Sequence, residues 1–226
     1  MNPTQESVIF ETSDGSHSLR SSTFGVSYHS KYGAVQESLH VFIQAGLHYK
    51  ALQTTNIAVL ELGFGTGLNA LLTLLHAEMH GWQIDYETIE AYPISIEQAA
   101  QLNYPELLGA ADHRSTFMHL HQTDWGVPIQ AAPHFRFCKQ QTDFQHLHYQ
   151  QRFDLLYFDT FAPDTQPELW ETPMLLRAWR ALRDGGVFVT YCAKGVVKRR
   201  LCEVGFEVES IPGPPGKREM TRAIKR

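Results

Sequence analysis

Cysteine is scarce in this chain: Cys138, Cys192 and Cys202 are three among 226 residues, odd in number and unclustered. That excludes a disulfide framework and a thiolate zinc cluster, and it points to a reducing compartment, read here as cytoplasmic. Long apolar runs are also missing. None approaches the ~20 residues needed to cross a bilayer, so no membrane partner is expected. The start, Met1 to Ser7, is polar and lacks the apolar segment of a secretory signal. Internal repeats and long linkers are absent too, which argues against a division into domains. Residues 1–226 therefore read as one domain, with 1–52 as an N-terminal extension and 53–226 as the core. Hydrophobic residues at 43% and charged residues at 19% are globular values, enough for an ample core.

What is present is concentrated in Ile57-Ala58-Val59-Leu60-Glu61-Leu62-Gly63-Phe64-Gly65-Thr66-Gly67-Leu68-Asn69. The apolar run reads as a parallel strand buried on both faces, and the apolar residues after Gly67 read as a helix packed beneath it. Three alternating glycines between them let the backbone turn sharply and approach a ligand closely. Two departures say which ligand. The dinucleotide pattern needs a glycine three places after its second, and position 68 holds leucine. The lysine of a phosphate-cradling loop is absent as well. Glu61, two residues before Gly63, would repel a pyrophosphate but suits the cationic aminocarboxyl end of S-adenosylmethionine.

A second strand signal, Ile84 to Glu90, ends in a carboxylate 23 positions beyond Gly67, near the ~20 at which such folds place an acid on ribose hydroxyls. Strands and helices then alternate: a helix from Pro93 to about Asn103, an irregular His-rich stretch Tyr104 to Pro133 with room for short helices, and strands Phe135 to Gln141 and Phe153 to Asp159. A helix Thr172 to Leu182, a strand Val187 to Cys192, a helix Lys194 to Val204, and final strands Phe206 to Ile211 and Glu219 to Ile224 complete the chain. Upstream, Val8 to Tyr28 carries β-prone pieces around an Asp14-Gly15 turn, and Ala34 to His48 has helical spacing. The alternation predicts an α/β fold with a doubly wound, mostly parallel sheet whose ligands lie at the carboxyl ends of the strands.

At the end of the strand ending in Asp159, the turn Asp159-Thr160-Phe161-Ala162-Pro163 leaves a carboxylate at the mouth of the sheet with an aromatic ring beyond it. Amine methylation needs a group that orients the nitrogen and takes its proton, which Asp159 can provide. Phe161 can face a cationic amine or stack on a base. Acids also favour turns for local reasons, so a turn-forming Asp159 is the alternative.

These residues resemble a family. The Gly63 to Asn69 loop, the Asp159 turn followed by Pro167-Glu168-Leu169-Trp170, the stretch Thr190-Tyr191-Cys192-Ala193-Lys194-Gly195, the ending Gly216-Lys217-Arg218-Glu219-Met220 and the upstream Glu37-Ser38-Leu39-His40-Val41-Phe42 are similar to the methyltransferase half of the bifunctional MnmC family. The glycine loop is shared by many methyltransferases; its combination with the Asp159 turn and the Lys217 to Met220 ending is far more specific. The resemblance implies a class I S-adenosylmethionine-dependent methyltransferase fold that is Rossmann-like. It implies cofactor contacts at Glu61, Gly63, Gly65, Gly67, Asn69 and Glu90, an adenine-side acid at Asp143, and Asp159 at the reaction centre. The implied reaction completes the methylaminomethyl group on the wobble uridine of certain tRNAs. Relatives commonly carry glycine after the catalytic-turn aspartate, where this chain has the β-branched Thr160. The chain is expected to lack the family's flavin oxidase half, so that a separate oxidase partner would uncover the amine.

The formal net charge of −5 runs against a tRNA substrate, but from Lys194 onward nine Lys or Arg face four acids. Lys198, Arg199, Lys217 and Arg218, with Arg200, Arg222, Lys225 and Arg226, are expected to form a phosphate-binding rim. The twelve histidines suggest a metal, with His119 and His121 or His146 and His148 at strand spacing. No cysteine or acid stands at a ligand spacing from them, and no metal site is expected. Trp170 and Trp179 read as packing residues rather than base platforms. Two rival functions remain: a methyltransferase for a small amine metabolite, and a non-catalytic cofactor-binding subunit of a tRNA-modification complex.

Overall fold

The computed structural model describes residues 8–146 and 148–226; the polar start read as lacking a signal lies outside them. Strands β1 (Val8–Glu11) and β2 (His17–Arg20) form a separate antiparallel hairpin. A continuous helical segment follows, made of α1 (Ala34–Ser38), a π-helical stretch Leu39–His48 and α2 (Tyr49–Ala51). Then come β3 (Asn56–Leu62), α3 (Leu68–His80), β4 (Gln83–Glu90), α4 (Ile96–Ala100), α5 (Tyr104–Leu107), α6 (Arg114–Gln122), β5 (Ile129–Ala132) and β6 (Phe135–Gln141). The chain ends with β7 (Phe153–Phe158), α7 (Thr172–Ala181), β8 (Leu182–Thr190), α8 (Gly195–Glu203), β9 (Phe206–Pro212) and β10 (Glu219–Lys225).

Eight strands form one sheet in the order β5-β6-β4-β3-β7-β8-β10-β9. The five from β6 to β8 are parallel, while β5 and the β9–β10 pair run antiparallel at the two edges. The expected doubly wound α/β fold is therefore present, with antiparallel edges. Because β3 is followed by β4 on one side and neighbours β7 on the other, the strand order reverses between β3 and β7. Ligands bind in the crevice that this reversal opens at the carboxyl ends.

The period-two alternation of buried strands explains the two cores. Val59 on β3, Leu155 and Tyr157 on β7 and Val187 and Val189 on β8 face a layer that holds α3 and the π-helical stretch. Leu60, Leu156, Phe158 and Phe188 alternate to the opposite face, against Trp170 and the α7 and α8 residues Leu175 and Leu201. Both faces are buried, as a parallel sheet covered by helices requires. Trp170 is fully buried, in agreement with its reading as a packing residue.

Some boundaries moved for local reasons. The helix expected over Pro93 to Asn103 is confined to α4, because the Ser95 hydroxyl accepts from the Gln98 backbone and the Gln98 side chain returns the bond in a capping box that fixes its start. The stretch Tyr104 to Pro133 contains α5, α6 and also β5, an edge strand whose four residues, Ile-Gln-Ala-Ala, are too few to show an alternation. His119 and His121 lie on α6, not on a strand, so a separation of two does not bring them to one face.

At the far, amino-terminal end of the sheet, the Asp154 carboxylate accepts from the Ala58 backbone N–H at 2.8 Å and pairs with Arg183 at 2.8 Å. It thus ties β3, β7 and β8 together where no ligand helps. Asp154→Ala should lower the unfolding free energy by about 1–3 kcal/mol, the cost of leaving these donors unpaired. A urea denaturation series that shows no loss would rule out this tie.

Candidate active site

Gly63, Gly65 and Gly67 have positive φ values of 98°, 49° and 75°. At Gly63 the requirement is steric as well, since a Cβ there would lie 2.5 Å from the Asp159 carbonyl oxygen. The close approach of the two loops at the β3–β7 crevice therefore depends on glycine. Gly67 caps α3 in the left-handed conformation, turning the helix start toward the cleft. The cleft comprises about 600 Å³ of space between atoms, part of it open to solvent. Glycine-loop residues, Asn69, Glu90, Asp159 and Phe161 line it, together with Phe24, Tyr28 and His29 from the extension.

Two carboxylates share one amide at its base. Asn69 Nδ2 donates to Glu61 Oε1 at 3.1 Å and to Asp159 Oδ2 at 2.8 Å. Because both acceptors are carboxylates, the amide nitrogen must point at them, which leaves Asn69 Oδ1 as a buried acceptor with no partner. Thr88 also donates to Glu61 at 2.7 Å. Burial outweighs these bonds and, with the nearby Asp159 charge, raises Glu61 to about 8. Burial likewise raises Asp159 to about 7, against the lowering effect of Asn69. An orphaned acceptor beside two carboxylates, Glu61 buried and Asp159 half-buried, is a site short of positive charge. A sulfonium ligand with an ammonium group fits that deficit.

Glu90 is buried at the end of β4 and accepts from the Gly65 backbone at 2.9 Å and the Tyr92 backbone at 2.8 Å. Burial raises its pKa despite those bonds. It stands where a ribose-binding acid would. Asp143 behaves differently: it is exposed, it accepts from the Gln145 backbone at 2.8 Å, and its neighbour Phe144 lines the cleft instead. The sequence signal for Asp143 thus falls one residue away from the lining. Thr160 does not disturb the turn, since Gln151 alone among the described non-glycine residues has a positive φ. The Thr160 carbonyl accepts from the Tyr191 hydroxyl at 2.8 Å, which braces the loop.

Phe161 packs between Phe24 at 4.9 Å and Tyr28 at 5.2 Å between ring centroids. Sequence reasoning missed Phe24, Tyr28 and His29, because nothing in their local pattern marks a chain segment that folds over a distant loop. Beyond Phe161 a second, open groove of ≈ 1010 Å³ is lined by Pro163, Tyr191, Lys194, Lys217 and Arg218 among others.

The expected basic rim is only partly available. Lys198 pairs with Glu219 at 2.9 Å and Lys217 with Glu37 at 2.5 Å, the latter also lying over the Tyr191 ring. Arg222 pairs with Glu209, and Arg226 with Glu207. Lys225 is buried and donates to the Leu182 carbonyl, so it is no part of a rim. Arg199 and Arg218 are the exposed members of the four.

A family model described as S-adenosyl-L-methionine-dependent methyltransferase matches residues 136–226. Two curated relatives are named tRNA 5-methylaminomethyl-2-thiouridine biosynthesis bifunctional protein MnmC. The one from Aromatoleum aromaticum is 32% identical over 225 residues, covering 91% of this chain and 34% of the relative. The one from Nitrosospira multiformis is 31% identical over 212 residues, covering 89% and 34%. The chain thus spans about a third of the length of the curated relatives it matches. Among solved structures, MnmC2 from Aquifex aeolicus superposes with a TM-score of 0.76 at 25% identity, over 100% of this chain and 72% of that one. Spermidine synthase from Thermotoga maritima, at 12% identity and a TM-score of 0.51, shares the fold.

The raised carboxylates predict an inverted pH dependence of stability. A group with a folded pKa above its unfolded value near 4.5 binds more protons when folded, so stability falls as pH rises from there toward about 8. The ligand-free protein should therefore melt at a lower temperature at pH 8 than at pH 6. Glu61→Gln should flatten that difference. Equal slopes for parent and variant in a thermal-melt pH series would show that Glu61 is not the group responsible.

Proposed function

We propose that this chain, an S-adenosylmethionine-dependent methyltransferase related to the MnmC proteins, methylates the exocyclic amine of an aminomethyl group on the wobble uridine of tRNA, giving methylaminomethyl. The observation that carries the reading is Asp159, a cleft-lining carboxyl group at the carboxyl end of β7 whose pKa burial raises to about 7. S-adenosylmethionine, when bound, supplies an activated methyl group on a cationic sulfonium. Glu61, Asn69 and the glycine loop would hold its aminocarboxyl end, and Glu90 its ribose; Asp143 is assigned to the adenine side at the rim.

The residues around the groove then have distinct tasks. Asp159 accepts the proton of the incoming ammonium, which frees the lone pair for attack, and a carboxylate with a pKa near the working pH is suited to this. Phe161 presents a ring face to the same cationic amine. Arg199 and Arg218 meet phosphates, while Lys198 and Lys217 contribute only as far as their ion pairs open. The extension 1–52 and the core 53–226 act as one methyltransferase domain in the cytoplasm. A flavin oxidase, as a separate partner or another segment, would uncover the amine from a carboxymethylated precursor.

The neutralised lysines favour one rival, methylation of a small amine metabolite, and the tests separate the two. Labelled S-adenosylmethionine should mark tRNA from a strain lacking this enzyme, with methylaminomethyl uridine found by nucleoside mass analysis. Labelling of small amines alone would reject the tRNA reading, and no turnover at all would leave a non-catalytic subunit. Asp159→Asn should lower single-turnover methylation by about 10²–10⁴-fold. The parent's kcat/KM should rise with pH through about 7 as Asp159 ionises, and the variant should lack that limb.

Replacing Lys198, Arg199, Lys217 and Arg218 together by Gln should flatten the dependence of log affinity for tRNA on log salt. With ~0.7 lost for each loop phosphate contact, two available arginines give a change of ~1.4. An unchanged slope in a salt titration would remove this face as the docking surface.

A further inference from the structure

Three imidazoles converge near the carboxyl end of α3, the end remote from the cleft. His48 ends the π-helical stretch, while His80 ends α3 and His76 lies one turn before it. A spacing of four places His76 and His80 on one helical face, the same device by which paired histidines on a helix bind zinc. One ring nitrogen from each of the three residues lies within 4.8 Å of the others. His48 Nε2 and His76 Nδ1 are already 3.0 Å apart in a hydrogen bond. Two nitrogens bound to one tetrahedral zinc at ~2.0–2.1 Å are about 3.3 Å apart, so this pair needs only a slight opening. The cluster is also walled: Trp82 stacks on His80 at 4.4 Å and meets the edge of His48 at 5.1 Å.

We propose that His48, His76 and His80 form a three-imidazole site for a borderline divalent transition cation, zinc above all, with its remaining position open to water. The sequence leads to no expected metal site; this triad joins His48 to a helical i, i+4 pair 28 residues away, a contact that no local spacing marks. The cation would take the place of the hydrogen bond between His48 and His76, and the N–H of the donor ring would move to that ring's other nitrogen, so that both rings bind as neutral imidazoles. The site's location favours positive charge, because the unpaired carbonyls at a helix carboxyl end carry partial negative charge.

From Asn69 to His80 the helix rises about 17 Å, which separates the cluster from the methyl-transfer site. The cation is therefore a clamp between the end of the π-helical stretch and the end of α3, not a catalytic group. Hard cations such as magnesium lack the oxygen ligands they require here, whereas imidazole suits zinc, nickel and copper.

The test uses the tag-free full chain, with zinc titrated by calorimetry and cobalt by visible absorption at neutral pH. We expect one equivalent bound per chain, an intensified cobalt band typical of low coordination number, and a raised melting temperature with zinc but not with magnesium. His76→Ala and the surface variant His80→Gln should each weaken binding at least tenfold and abolish the melting shift. S-adenosylmethionine affinity should stay unchanged in His80→Gln, a readout independent of the proposed methyl transfer. Should His76→Ala fail to fold, His80→Gln alone decides. Absence of stoichiometric binding, or binding equal in parent and His80→Gln, would overturn the site and leave a histidine stack that only packs.

Discussion

Negative charge kept dry at the end of the sheet is the constraint on which the site depends. Glu61 is buried on β3 and Asp159, half-buried, directly follows the adjacent parallel strand β7, and Asn69 at the start of α3 supplies the amide that holds both. One neutral amide cannot compensate two carboxylates, so their protons are held more tightly than in water. A fold tolerates such groups when a ligand completes them. The same arrangement leaves the cleft short of positive charge, and it raises the pKa of Asp159 to about 7.

The loops around these acids are shaped by contact rather than by propensity. Gly63 brings the β3 loop against the Asp159 carbonyl, and the Tyr191 hydroxyl holds the next carbonyl in place. Over this floor the extension contributes a roof of Phe24 and Tyr28 on Phe161. Its anchorage runs through Asp14, which accepts from the Ser16 and Gln36 backbones, and through Glu37, which accepts from the Ser30 backbone and pairs with Lys217. The Glu37–Lys217 pair thus links the roof to the groove. A substrate phosphate competing for Lys217 would meet an existing ion pair, which is why local basicity in sequence overstates the charge offered to a partner.

α3 connects two regions of different chemistry. Its amino end, capped by Gly67, faces the cleft with Asn69, whereas its carboxyl end, capped by Gly81, carries the imidazole pair. Both caps adopt the left-handed conformation that glycine allows without strain. A clamp at the carboxyl end would restrain the helix whose first turn orients the shared amide, while leaving the reacting groups untouched.

The sequence by itself determined the alternation of strands and helices, the glycine turn and the acids at strand ends. These are local signals: buried parallel strands require apolar runs, close backbone approach requires glycine, and carboxylates at Glu61, Glu90 and Asp159 stand at fixed offsets from both. The edge strand β5 was not legible, because an antiparallel edge asks little of its side chains. Only the tertiary structure decided that Asn69 joins two acids, that Phe24 and Tyr28 cover the cleft, that Lys198 and Lys217 are already paired, and that His48 meets His76 and His80. Each of these joins residues far apart in the chain, from 8 between Glu61 and Asn69 to 180 between Glu37 and Lys217. Such pairings depend on how the layers pack, which no local pattern of residues encodes.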